Sequence, residues 1–240
     1  MEWQDEGLII GVRRHGETSV IAEIFTREHG RHLGIVRGGR GKRMQPLLQP
    51  GNSVAIVWRA RLEEHLGMYT VEALKLRAAV IMESGLALQG INLLGAGLRL
   101  MAERDPHPAL FETAELAADH LADADIAPAL MVRLELGVLA ELGFGLDLSV
   151  CAATGTREDL IYVSPRSGRA VSRAAGEAWK DRLLALPGFL AGRGSGASRA
   201  DIEAGFALTG YFLMRDVWSA RGQEAPEARR AYLAELARGG

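Results

Sequence analysis

Between Thr26 and Asn52 the chain reads TREHGRHLGIVRGGRGKRMQPLLQPGN, which sets Arg27, Arg31, Arg37, Arg40, Lys42 and Arg43 against a single acid, Glu28. Cationic side chains at this density can neutralise a row of phosphates. Glycines at 38, 39 and 41 let the backbone bend and lie close to a partner. The pattern predicts a basic loop that binds a polyanion, most simply a nucleic-acid backbone. Arg14, Arg59 and Arg61 extend the set on either side. Single-strand binding also uses rings on which bases stack. Trp58, flanked by Arg59 and Arg61, is expected to offer such a ring, whereas Phe25 and Tyr69 read equally well as core. Few aromatics point to contact with the backbone rather than to sequence readout.

Other chemistries fit the spacing poorly. Gly41-Lys42 is followed by Arg43, and Val36 stands where a phosphate-binding Walker loop has its first glycine. Without the Ser or Thr hydroxyl there is no magnesium ligand. His29 and His32 are three residues apart on a turn entering a strand, which puts them on unlike faces with no third ligand near. Cys151 is the single cysteine, so no intramolecular disulfide and no cysteine-rich zinc site can form. Glu63-Glu64 and Glu158-Asp159 read as solvated turn residues. No catalytic constellation emerges, and the expectation is a non-enzymatic protein without a cofactor or metal.

The elements that must position the basic loop follow from periodicity. Gly7–Arg13, Ser19–Thr26, Arg31–Arg37, Ser53–Arg59 and Gly67–Leu76 read as five short strands separated by turn residues. Such spacing predicts a small barrel of the oligonucleotide-binding (OB) type. From residue 81 the pattern turns helical: Glu83–Glu103, Ala109–Ala122 and Ala127–Leu142. Residues 146–173 interrupt it as a compact hairpin-like insertion with one strand at Leu160–Val163. Helices resume over Ala174–Leu186. Gly194-Ser195-Gly196 reads as a flexible link, and Ser198 as the N-cap of a helix with Asp201 three residues on. A last amphipathic helix covers Glu227–Ala237. The expected class is α+β in two domains, an OB barrel over 1–80 and a helical domain over 81–240.

Charge agrees with this division. The net charge is −2, but residues 1–80 carry 12 Lys and Arg against 9 Asp and Glu, and the remainder carries 16 against 21. Affinity for nucleic acid should therefore be local to the N-terminal part and strongly salt-dependent. The acidic start MEWQDEG lacks a signal pattern, and the most apolar run, Ile81–Met101, contains Glu83, Gln89, Asn92 and Arg99. A soluble, cytoplasmic protein is expected.

The run REHGRHLGIVRGGRGKRMQPLLQPGN resembles the N-terminal part of the bacterial RecO family, as do DEGLIIGVRRHGETSVIAEIFT before it and FGLDLSVCAATG and YVSPRSGRAVSRAAG later. The resemblance covers nearly the whole chain. It implies an OB domain followed by a helical domain, binding of single- and double-stranded DNA, and annealing of complementary strands. It also implies work with RecR to load RecA recombinase onto DNA coated by single-stranded DNA-binding protein, with RecF as a further partner. Many relatives hold a four-cysteine zinc knuckle. Here Cys151 alone matches, with Thr154, Ser172 and Ala175 at the other positions. The chain thus resembles a zinc-free branch with a degenerate, knuckle-like insertion at about 146–173. Arg133 matches a basic position that relatives use to hold the acidic, apolar tail of single-stranded DNA-binding protein. Two other classes remain open from sequence: an OB module that binds only protein, and an RNA-binding OB protein.

Overall fold

A computed structural model describes residues 1–192 and 196–239. Gly194 and Ser195 of the expected link lie outside them. Five strands come first: β1 (Glu2–His15), β2 (Ser19–Thr26), β3 (Gly30–Val36), β4 (Ser53–Arg59) and β5 (Met68–Lys75). They pair in the order β1-β2-β3-β5-β4, and β4 returns to β1, so the sheet closes into a barrel. Closure removes the free edges that a short open sheet would expose. β1 serves two neighbours: Glu2–Leu8 pairs with β4, and Gly7–His15 pairs with β2. The register slips between Ile9 and Gly11, where the strand changes direction. The strand starts five residues before the apolar run that announced it, because pairing with β4 recruits the polar segment Glu2–Glu6.

Inside the barrel lie Ile9, Val20, Ala22, Ile24, Val36, Val54, Ile56, Trp58 and Tyr69, with Leu48 contributed by the loop between β3 and β4. That loop is tied at its far end by Asn52, whose side-chain amide donates to Pro46 O and Leu47 O at 2.9 Å and whose Oδ1 accepts from Arg77 N at 2.8 Å.

Helices α1 (Ala78–Met82), α2 (Gly85–Leu98), α3 (Pro108–His120) and α4 (Ala127–Glu141) follow. The helix expected over Glu83–Glu103 is thus broken before Gly85: Ser84 caps α2, its hydroxyl accepting from Ala87 N at 3.3 Å. After α4 come β6 (Leu160–Val163), β7 (Ala170–Ser172), α5 (Arg173–Gly176), β8 (Leu184–Ala185), α6 (Arg199–Phe212) and α7 (Glu227–Arg238). The helix expected over Ala174–Leu186 is replaced by the four-residue α5, a 3-10 turn over Glu177–Arg182 and β8. Pairing of Tyr162 with Ala185 and Val163 with Leu184 draws that segment onto the sheet β7-β6-β8 and overrides its helical composition. Ser198 caps α6 with a reciprocal Ser198–Asp201 box, as its spacing predicts.

The chain forms two compact units, Met1–Ala127 with Glu227–Gly240, and Pro128–Pro226. The change from strands to helices at Ala78 falls within the first unit. There α3 is bound to the barrel by Arg77, a buried guanidinium that donates to Gly51 O at 3.0 Å and to Glu115 at 2.7 Å, and also pairs with Asp119. Burying a charge is tolerable only when its hydrogen-bonding groups are satisfied, as they are here. α7 closes this unit, with the Tyr232 ring against Gly90 of α2. In the second unit α4 and α6 pack closely at Gly205, where an added Cβ would lie 3.0 Å from Val132 Cγ1. The buried Glu135 carboxylate accepts from the Thr209 hydroxyl across the same interface. No helix among the described residues is long and apolar enough to cross a membrane.

Candidate nucleic-acid interface

The basic loop is an ordered series of turns. Gly39 N donates to Val36 O at 3.3 Å, Gly41 N to Gly38 O at 2.9 Å, and Met44 N to Gly41 O at 2.9 Å. Arg40 N donates to Thr18 O at 3.0 Å and its guanidinium donates to Glu17 O, which fastens the loop to the β1–β2 hairpin. Gly39 is buried against Val20, where a Cβ would come within 2.6 Å of Val20 Cγ2. The glycines therefore fit a close backbone approach within the protein, and Gly38 supplies a left-handed turn at φ +66°.

This backbone holds Arg37, Arg40, Lys42 and Arg43 out in solvent, with Arg14 exposed at the end of the neighbouring hairpin. Among the described residues, Arg14, Arg37, Lys42 and Arg43 form no ion pair. Arg14 and Arg40 line a cleft of about 560 Å³ between the hairpin and the loop, with Glu17 as its one acid. Arg13, which the sequence reading passed over, is exposed beside Arg14. Its place at a hairpin end was the available signal. A fixed array of cations lowers the ordering cost of binding.

Three other expected phosphate contacts are neutralised. Arg27 pairs with Glu112 and Glu6 and lies 4.9 Å from the Phe111 ring centroid, so its charge ties α3 to the barrel. Those two acids, Glu112 first, raise its pKa. Arg31 is mostly buried and pairs with Glu23 at 2.9 Å and Glu103 at 3.5 Å. Arg59 holds Glu2 with two bonds, at 2.8 and 3.0 Å. Arg61 is exposed on the β4–β5 loop and forms no ion pair among the described residues. Of the expected cations, those left exposed and outside ion pairs lie mainly on the loop and the hairpin, with Arg61 apart from them in sequence.

Trp58 is not the exposed ring that its flanking arginines suggest. Its ring is 1 % exposed, and its Nε1 donates to Leu66 O at 3.1 Å. It shares the inward face of β4 with Val54 and Ile56, so no base can reach it directly. Instead it belongs to a cluster with Trp3, His29, His32 and Tyr69. His32 is buried there, Nδ1 3.0 Å from both Tyr69 Oη and Leu33 O. Burial, reinforced by the Arg104 charge, pushes its pKa down to about 4.

Buried His32 makes the stability of the fold depend on pH. The unfolded chain binds this proton near pH 6.5, whereas the folded one binds it only near pH 4. Protonation thus favours unfolding as pH falls through that window, and the His32 contribution is fully present above it. Chemical unfolding should show a loss of about 2 kcal/mol between pH 7 and pH 5 from this group. His32→Gln should be less stable at pH 7 but flatter over that range; equal slopes in both proteins would contradict the assignment.

In the second unit, Arg133 donates to Phe189 O at 2.7 Å and lies 5.8 Å from the Phe189 ring centroid. Cys151 is buried, and its sulfur accepts from Ser172 N at 3.3 Å. Burial pushes its thiol pKa up, and hydrogen bonds from Ser172 and Thr154 more than offset this, to about 6. Three of the four positions that resemblance assigns to zinc ligands therefore meet, but as one thiol and two hydroxyls. That donor set does not fit a structural zinc, which takes thiolate and imidazole ligands. No group of three or more His, Cys, Asp or Glu among the described residues is placed to hold a metal.

Comparison with known proteins places this geometry. Residues 1–77 match the family model "Recombination protein O N terminal", and residues 98–221 match "Recombination protein O C terminal". The DNA repair protein RecO of Methylocella silvestris is 61% identical over 240 residues, covering 99% of this chain and 97% of that protein. The RecO proteins of Methylobacterium nodulans and Chelativorans sp. are 59% and 58% identical over 239 residues, covering 98% and 99% of this chain and 97% and 96% of their own. With both family halves matched in order and identity near 60% end to end, the chain belongs to the RecO family of DNA repair proteins.

Proposed function

We propose that the protein is a non-enzymatic mediator of homologous recombination and DNA repair. Its OB-type barrel binds single- and double-stranded DNA through Arg14, Arg37, Arg40, Lys42 and Arg43, with Arg13 and Arg61 as outlying cations. The observation that carries this reading is the hydrogen-bonded turn holding four cations in solvent beside Arg14. Cations held between two phosphate backbones reduce their repulsion and keep complementary strands close, so annealing needs no bond-making residue. With RecR, and with RecF in the same pathway, the protein loads RecA onto DNA coated by single-stranded DNA-binding protein. Arg133 receives the acidic tail of that protein: its Nη2 donates to Phe189 O, and its remaining N–H groups can take a carboxylate. The knuckle-like insertion keeps its shape through the Cys151–Ser172 hydrogen bond and the sheet β7-β6-β8 rather than through a metal. The work takes place in the cytoplasm, at the nucleoid.

Annealing of two complementary labelled oligonucleotides tests the reading. At low salt the protein should accelerate duplex formation well above the spontaneous rate, and 0.5 M salt should abolish the effect. Tight DNA binding without acceleration would remove annealing from the account.

A further inference from the structure

Trp58, Trp3 and His29 form a column of rings. Trp58 and Trp3 are stacked with centroids 5.4 Å apart and planes 19° apart, and Trp3 and His29 with centroids 4.0 Å apart and planes 8° apart. The Trp58 end is closed inside the barrel. The His29 end is open, with its side chain 33% exposed. Trp3 covers one face of the imidazole, and among the described residues no ring or cation is stacked on the other.

The imidazole is also fixed in place. Its Nδ1 donates to Asp5 Oδ2 at 2.8 Å, and the His29 backbone N donates to the Thr26 hydroxyl at 3.1 Å. Asp5 is itself held, Oδ2 accepting from Glu28 N at 2.9 Å and Oδ1 from Glu6 N at 2.8 Å. An aromatic face pinned by a buried carboxylate loses little freedom when a second ring lies on it. Stacking of unpaired bases on aromatic side chains, histidine included, needs such a surface and tolerates any base.

We infer that His29 is the open end of a stacking column that takes one unpaired nucleobase, continuing the series Trp58–Trp3–His29. The inference rests on the nucleic-acid reading above and adds a contact to the base where that reading has only phosphates. A base within a duplex already has both faces covered, so the column favours single strands.

The test compares a single-stranded oligonucleotide with an abasic strand of equal length, by fluorescence anisotropy at low salt. The full-length protein should bind the base-bearing strand roughly tenfold more tightly, as one stacked base contributes. His29→Ala should lose that preference while binding the abasic strand unchanged, and His29→Phe, which keeps a ring without the imidazole nitrogens, should restore it. An equal preference in His29→Ala overturns the inference. So does wild-type protein that does not distinguish the two strands, or His29→Ala weakening both alike, although phosphate binding then stands. Failure to bind either strand would instead remove the nucleic-acid reading itself.

Discussion

Replacing Arg37, Arg40 and Arg43 together by alanine should weaken single-stranded DNA binding by on the order of a hundredfold at low salt. Each contact between a cation and a phosphate releases condensed counterions, so three lost contacts should flatten the slope of log affinity against log salt by about 2. The fold should survive. All three side chains are solvent-exposed; of the bonds that hold the loop only the one from the Arg40 guanidinium to Glu17 O is lost, while Arg40 N still donates to Thr18 O and the turns keep their backbone bonds and Gly39. The contrast is Arg27, whose removal would leave Glu6 and Glu112 without their cation and so confuse stability with binding. An unchanged salt slope in the triple variant would show that the phosphates lie elsewhere.

The second large effect belongs to the scaffold. Gly30→Ala should destabilise the protein by about 3 kcal/mol, through left-handed strain and overpacking together. Gly30 has φ +64°, and a Cβ there would lie 2.0 Å from Asp105 O and 2.4 Å from Asp105 C. Those are backbone atoms, so no side-chain rotation can make room. The Gly30 carbonyl also accepts from the buried Thr26 hydroxyl at 2.9 Å, which fixes the turn between β2 and β3. Gly143 is the control: its φ is +84° with nothing within 4 Å of an added Cβ, so Gly143→Ala should cost only the strain, about 1 kcal/mol. Urea unfolding of both variants measures the difference. Equal losses would mean that the approach to Asp105 is not as tight as drawn.

Local pattern made much of this architecture legible in the sequence. Ser19–Thr26 and Ser53–Arg59 are strands with the bounds that their alternation and flanking turns suggest, and the Ser198–Asp201 box marks the start of α6. These signals span a few residues and need no distant partner. What the sequence concealed depends on distant partners. The helical composition of Ala174–Leu186 yields to pairing with β6, some twenty residues earlier. Arg27 looks like its basic neighbours until α3 brings Glu112 to it.

Trp58 is a different case, because the warning was local. It stands two residues from Ile56 and four from Val54, on the face that a barrel buries. The arginines at 59 and 61 suggest an exposed strand end, but the parity of the strand decides where the ring points. At the open end of the column that Trp58 begins stands His29, whose side chain is partly exposed and whose stacking on Trp3 joins residues 26 positions apart. Within Thr26–Asn52 composition treats all the cations alike; only the acids that the fold brings to Arg27 and Arg31 separate these two from Arg37, Lys42 and Arg43, which form no ion pair among the described residues.

The proposed function turns on whether the ordered cluster of cations on the barrel, outside ion pairs among the described residues, meets nucleic-acid phosphates. Titration of labelled single-stranded DNA with the intact protein, repeated from low to physiological salt, tests it most directly. Five engaged cations predict tight binding at low salt and a log–log slope of about −3.5, from roughly 0.7 per phosphate on single strands. No binding at low salt, or an affinity that salt leaves unchanged, would contradict the claim.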